Sequence, residues 1–122
     1  MFELFKPYQQ LKRIEHTRVC VRCTKHQLIF SLAATCFFGN ATRAFLLWDR
    51  DLSRAAVQPC GEENKLSHSI YRKPGRINES VITSTSFLLA TGLSRAGSID
   101  ATWNAAENRL EWEIPPQEAR ER

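Results

Sequence analysis

The sequence predicts an α+β fold, in which an N-terminal helix packs on an antiparallel sheet that ends in a C-terminal β-hairpin. Two observations favour it: the N-terminal segment carries apolar side chains at a helical spacing, and the C-terminal segment alternates apolar and polar side chains. The chain has 122 residues, of which 43% are hydrophobic and 25% charged, as is typical of one globular domain. We expect this single small domain to span residues 1–114 and a flexible charged tail to follow at 115–122.

The N-terminal segment predicts a helix that begins near Lys6 and runs to the end of the segment at His16. Pro7 is compatible with this start, because the first turn of a helix does not use its backbone N–H groups. Apolar residues recur at every third position and the charged ones lie off this stripe, as expected for a helix with one buried face. The stripe consists of Phe2, Phe5, Tyr8, Leu11 and Ile14.

Two strand-like segments follow the helix. Residues 17–24 predict a half-buried strand, because apolar and polar side chains alternate along them. Residues 28–48 are strongly apolar and predict a buried β-hairpin or a buried helix of a soluble domain. The Gly39-Asn40 pair suits a tight turn that needs a positive φ angle, which favours the hairpin.

The middle of the chain predicts a short helix, a loose loop and a strand. Asp49 is positioned to cap a helix over residues 51–57, which would end before the next proline. Residues 58–80 contain prolines, glycines and many polar side chains and predict a loop, with one short strand at 69–72 within it. Residues 81–89 are rich in β-branched and aromatic side chains and predict a strand.

The last predicted element is a β-hairpin whose arms are residues 99–103 and 109–114. In the second arm, Leu110, Trp112 and Ile114 alternate with charged side chains, which indicates one buried and one solvated face. We therefore expect Trp112 to lie in the core.

The basic residues are concentrated towards the N-terminus. Residues 1–48 hold seven Lys or Arg against two Glu, whereas residues 81–122 hold four basic against six acidic residues. A net charge of +4 arranged in this way can attract an anionic partner to the basic half. The basic residues never form a dense run, however, which favours a solvated surface of mixed sign over a dedicated polyanion site. The sequence nonetheless predicts a small, basic, non-enzymatic interaction module that binds a protein or a polyanion through its N-terminal half.

Cys20, Cys23 and His26 form the one cluster whose spacing suits zinc ligands, so a zinc-binding module around Cys20 and Cys23 is one alternative function. A second pair of ligands at such a spacing is missing, since Cys36 and Cys60 stand alone. The strand predicted here also places Cys20 and Cys23 on opposite faces, which disfavours a shared ion. We therefore predict no metal site and reduced cysteines, which indicate an intracellular, cytoplasmic protein.

The sequence carries none of the motifs by which common enzymes are recognised. It has no nucleophile elbow and no glycine-rich phosphate loop, and its five glycines are widely spaced. The acidic side chains near the C-terminal hairpin indicate a solvated face rather than a general acid–base pair. We therefore expect no enzyme activity, no catalytic residue and no cofactor.

A single-pass membrane anchor is the second alternative function. Residues 28–48 are long enough to cross a bilayer, and the flank before them is basic, as in proteins with a cytoplasmic N-terminus. Asn40 and Arg43 interrupt the apolar run, and an amide among lipid tails would lack a hydrogen-bond partner. A hairpin of a soluble domain places Asn40 in an exposed turn, so we prefer it and keep membrane association as the alternative.

Overall fold

In the computed structural model, which describes residues 18–61, 65–72 and 79–116, the protein is mostly β. These residues form two antiparallel five-stranded sheets, with two short helices between strands. The predicted α+β fold, with an N-terminal helix packed on an antiparallel sheet, is therefore wrong. The helix predicted from Lys6 to His16 lies outside the described residues.

The elements are short, and each helix connects a strand to the next. In chain order they are β1 (Cys20–Cys23), β2 (Gln27–Phe30), α1 (Leu32–Cys36), β3 (Arg43–Asp49), β4 (Arg54–Cys60), β5 (His68–Ser69), β6 (Tyr71–Arg72), β7 (Ser80–Thr83), α2 (Thr85–Thr91), β8 (Gly97–Asp100), β9 (Thr102–Asn104) and β10 (Arg109–Glu113). The first sheet has the order β6-β7-β2-β1-β8, and the second has the order β5-β3-β4-β10-β9.

Two bent segments join the sheets, one at each side. The chain passes from β5 at the edge of the second sheet through Ile70 into β6 at the edge of the first. It passes in the same way from β8 through Ala101 into β9. Strands that switch sheets at a bend form the corners of packed sheets. These two bends therefore connect the two sheets at both of their sides.

Side chains from the inner faces of both sheets form one hydrophobic core. Phe30 of the first sheet lies edge-on to Trp112 of the second, with 6.2 Å between the ring centroids, and edge-on to Phe38, at 5.2 Å. Trp112 is 1% exposed, as the alternation predicts, and β9 pairs with β10, so a C-terminal hairpin is present. Its first arm is shorter than predicted, because the chain bends at Ala101 and the preceding residues, Ile99 and Asp100, belong to β8 of the first sheet. Other fully buried side chains of this core include Leu28, Ile82, Leu88, Leu93, Leu110, Val21 and Val57.

Residues 28–48 form neither the hairpin nor the single helix that their composition predicts. β2 belongs to the first sheet and β3 to the second, and the five-residue helix α1 connects them. Ser31 ends β2 and caps α1, because its Oγ accepts a hydrogen bond from the Ala34 N–H at 3.3 Å. Gly39 does adopt the positive φ expected for the turn, at 57°. The hairpin prediction failed because one serine inside an apolar run separates a strand from a helix.

Two other local predictions are wrong. Residues 51–57 contain no helix, because a turn after Asp49 leads into β4, whose alternate side chains face the core. Residues 81–89 form a strand only up to Thr83, and Ser84 then caps α2 by accepting a hydrogen bond from a backbone N–H. The short strand predicted at 69–72 is present as part of β5 and β6.

Candidate functional site

The three candidate metal ligands lie on β1 and just beyond it. Cys23 is buried in the core, whereas Cys20 is half-buried on the other face of the strand. His26 is exposed in the turn between β1 and β2, and its Nδ1 lies 2.9 Å from the hydroxyl oxygen of Thr85. Within residues 18–61, 65–72 and 79–116, no group of three or more His, Cys, Asp or Glu side chains could hold a metal ion.

Exposed cationic side chains gather at one end of the first sheet. The turn between β1 and β2 lies beside the loop that precedes β8, because β1 pairs with β8 and the Arg95 N–H donates a hydrogen bond to the Thr24 carbonyl oxygen at 3.2 Å. This arrangement places Arg22, Lys25 and Arg95 on the same end of the molecule, and all three are exposed. We call the surface formed by these three residues the basic end.

Hydrogen bonds fix the backbone beneath the basic end. The carbonyl oxygen of His26 accepts from the Ser84 N–H at 3.0 Å, which ties the β1–β2 turn to the start of α2. Arg95 adopts a φ of 62°, a left-handed conformation that costs a non-glycine residue about 1 kcal/mol or more. The loop maintains this conformation through the hydrogen bond to Thr24 and through a second one from the Ala96 N–H to Leu93. The cationic side chains therefore project from a preorganised backbone.

The positive charges of the basic end are not neutralised by carboxylates among the described residues. Elsewhere in the described residues, Arg18, Arg54 and Arg109 each form an ion pair with a carboxylate. The three side chains of the basic end form neither an ion pair nor a hydrogen bond with any other residue that the structure describes. Their charges are thus available to an external anion.

Sequence reasoning identified only part of this surface. Arg22 and Lys25 belong to the basic N-terminal half, through which the sequence predicts binding of a protein or a polyanion. Arg95 lies in the C-terminal third, where acidic residues outnumber basic ones, so counting charges along the chain misses it. The pairing of β1 with β8 brings Arg95 to the same end, and no local pattern in the sequence indicates that long-range pairing.

Comparison of the chain with protein-family models, with curated proteins and with solved structures finds no match. Among the described residues, no helix combines the length and the apolar character needed to cross a membrane.

Proposed function

We propose that the protein is a non-enzymatic binding module whose basic end holds the phosphate backbone of a nucleic acid strand. One observation carries the proposal: Arg22, Lys25 and Arg95 converge from two separate segments, and no described carboxylate neutralises them. Exposed cations of this kind attract a polyanion over a screening length of about 10 Å at about 0.1 M salt.

A polyanion suits the basic end better than a single small anion does. Each exposed ion pair contributes little on its own, because solvent screens it and the long side chains lose conformational freedom. Successive phosphates of one strand can contact all three cations together and release several counterions, which supplies most of the affinity in such complexes. Phosphate contacts carry no sequence information, so we expect little preference for base sequence.

The test is the salt dependence of binding to a fluorescein-labelled single-stranded oligonucleotide, measured by anisotropy with the full chain. Arg22→Glu/Lys25→Glu removes two cations of the basic end. Arg50→Glu/Lys65→Glu is the matched control, because it changes the net charge equally at exposed residues outside the basic end. The first variant should lower the slope of log K against log salt by about 1.4, since each lost phosphate contact accounts for about 0.7.

At about 0.1 M salt the same loss weakens binding roughly tenfold to thirtyfold, whereas the control should bind within about threefold of the native protein. Equal weakening by the two variants would mean that net charge, not the basic end, determines binding. Binding to heparin without binding to the oligonucleotide would replace nucleic acid as the partner by another polyanion.

A further inference from the structure

A concave cavity of about 390 Å³ lies on the outer face of the second sheet, away from the basic end. Leu47, Ala56 and Glu111 lie side by side across β3, β4 and β10, and all three line it. Ala56 has the smallest of these side chains and leaves a depression between the strands on either side. The volume falls within the range of small-molecule sites, about 300–1,000 Å³.

Glu111 organises the polar side of the cavity. Its Oε2 accepts hydrogen bonds from Nε of Arg109 and from Nδ2 of Asn104, the second at 3.1 Å, and Arg54 lies 3.7 Å from its other oxygen. The hydrogen bond from Arg109 lowers the pKa of Glu111, so the carboxylate is ionised at neutral pH. Neighbouring side chains therefore already use this carboxylate, which leaves it little capacity to bind a ligand.

The two arginines offer hydrogen-bond donors to the cavity, and the other lining carboxylate, Asp49, accepts a hydrogen bond from the Leu52 N–H through one of its oxygens. Arg109 donates to Glu111 through Nε, and its two terminal nitrogens bond to no other side chain among the described residues. The terminal nitrogens of Arg54 lie 3.7 Å from Glu111 and 3.8 Å from Glu113, which is beyond hydrogen-bond range. Both arginines line the cavity. An acceptor-rich ligand would therefore complete hydrogen bonds that the protein leaves open.

The rest of the cavity wall is largely apolar. Leu47, Trp48, Leu52 and Ala56 contribute to it, and Leu52 is 68% exposed. The four charged side chains of the lining, two arginines and two carboxylates, balance one another. Selection of a ligand therefore depends on the direction of the open donors and on the apolar wall rather than on net charge.

We propose that this cavity binds a small organic carboxylate, whose oxygens bond to Arg109 and Arg54 and whose apolar body covers Leu47, Leu52 and Ala56. The two cations present donors in the planar geometry that matches a carboxylate. A ligand cation is disfavoured, because Arg54 and Arg109 already surround Glu111. The site is independent of the basic end, since none of Arg22, Lys25 and Arg95 lines the cavity.

The test compares 2-naphthoate with 2-naphthamide, which has the same ring but no charge, by calorimetric titration of the full chain. The carboxylate should bind about tenfold more tightly than the amide, as expected for charge-assisted hydrogen bonds to two guanidinium groups. Arg109→Gln should abolish this preference, whereas the matched variant Arg22→Gln should leave it unchanged. Arg22→Gln should in turn weaken binding of the oligonucleotide, so the two proposals fail or succeed separately.

A second pair of variants tests the cavity without changing Arg109, whose substitution could also disturb the fold. Ala56→Leu fills the depression and should weaken binding of both naphthalene compounds at least tenfold. Ala90→Leu makes the same change on the exposed face of α2 and should have no effect. Equal affinity for carboxylate and amide, full binding by Ala56→Leu, or no binding of 2-naphthoate at millimolar concentration would each overturn the proposal.

Discussion

Trp112 is the largest fully buried side chain among the residues that the structure describes. It is 1% exposed and contacts Phe30 across the space between the sheets. We expect Trp112→Ala to lower the free energy of unfolding by about 3–5 kcal/mol, because truncation of a large buried side chain leaves a cavity. Urea denaturation followed by circular dichroism measures this loss.

Trp112→Phe is the matched control. The indole Nε1 of Trp112 has no hydrogen-bond partner among the described residues, so its removal leaves no new unsatisfied group. The phenyl ring keeps much of the packing, and this variant should be destabilised much less than the alanine variant. A loss below about 1 kcal/mol for Trp112→Ala would contradict the burial of this side chain.

His68 makes stability depend on pH at the edge of the second sheet. Its Nδ1 is buried and has no hydrogen-bond partner in the described part of the chain. Burial, together with the charge of Arg43, lowers the pKa of His68, so the folded protein binds this proton less readily than the unfolded chain does. The contribution of His68 is therefore constant well above about pH 6.5 and turns destabilising as the pH falls through that value.

Denaturation midpoints of the native protein and of His68→Gln, measured at about pH 7.5 and about pH 5.5, test this effect. The native protein should lose more stability between the two pH values than the variant does, because glutamine does not titrate. An identical loss in both proteins would assign the acid sensitivity to other groups.

At the level of elements, strict alternation of apolar and polar side chains predicted strands reliably. It predicted β1 and the C-terminal hairpin, where apolar side chains face the core at every second position. Residue composition, from which the elements at residues 28–48 and 81–89 were predicted, failed there, because a strand and a short helix follow each other within a single apolar run. In both places one serine marks the boundary by capping the helix, and an isolated serine is too weak a signal in sequence.

Ser31, at the boundary between β2 and α1, contributes several hydrogen bonds to the stability of the fold. Its Oγ accepts hydrogen bonds from the Ala34 and Cys20 N–H groups, at 3.3 and 3.2 Å, and donates one to the Arg18 carbonyl oxygen at 2.7 Å. We expect Ser31→Ala to cost about 1–2 kcal/mol of stability, because it removes a helix cap and leaves these groups without their partner.

Ser86→Ala is the control, since Ser86 is exposed on α2 and should change the thermal midpoint little. Differential scanning calorimetry compares the two variants. Equal thermal midpoints for Ser31→Ala and Ser86→Ala would show that the hydrogen bonds of Ser31 do not stabilise the fold.

At the scale of the whole molecule, long-range pairing determines what the sequence could not predict. The two bent segments at Ile70 and Ala101 connect the two sheets, and the strands that pair at these edges are far apart along the chain. Composition and charge counts predicted a basic interaction module, which remains the proposal here. The residues of its surface followed only from the fold, because Arg95 reaches Arg22 and Lys25 through the pairing of β8 with β1.

The most direct test of the basic end is a titration of the ¹⁵N-labelled full chain with a single-stranded oligonucleotide, followed by amide chemical shifts. The proposed function predicts that the largest shift changes fall on residues 22–26 and 94–97, and that the amides of Leu110 to Glu113 in β10 change little. Raising the salt concentration should reverse the changes, because the contacts are to phosphates. Changes centred on the cavity of the second sheet, or none at saturating oligonucleotide, would contradict the assignment of the basic end as the nucleic acid surface.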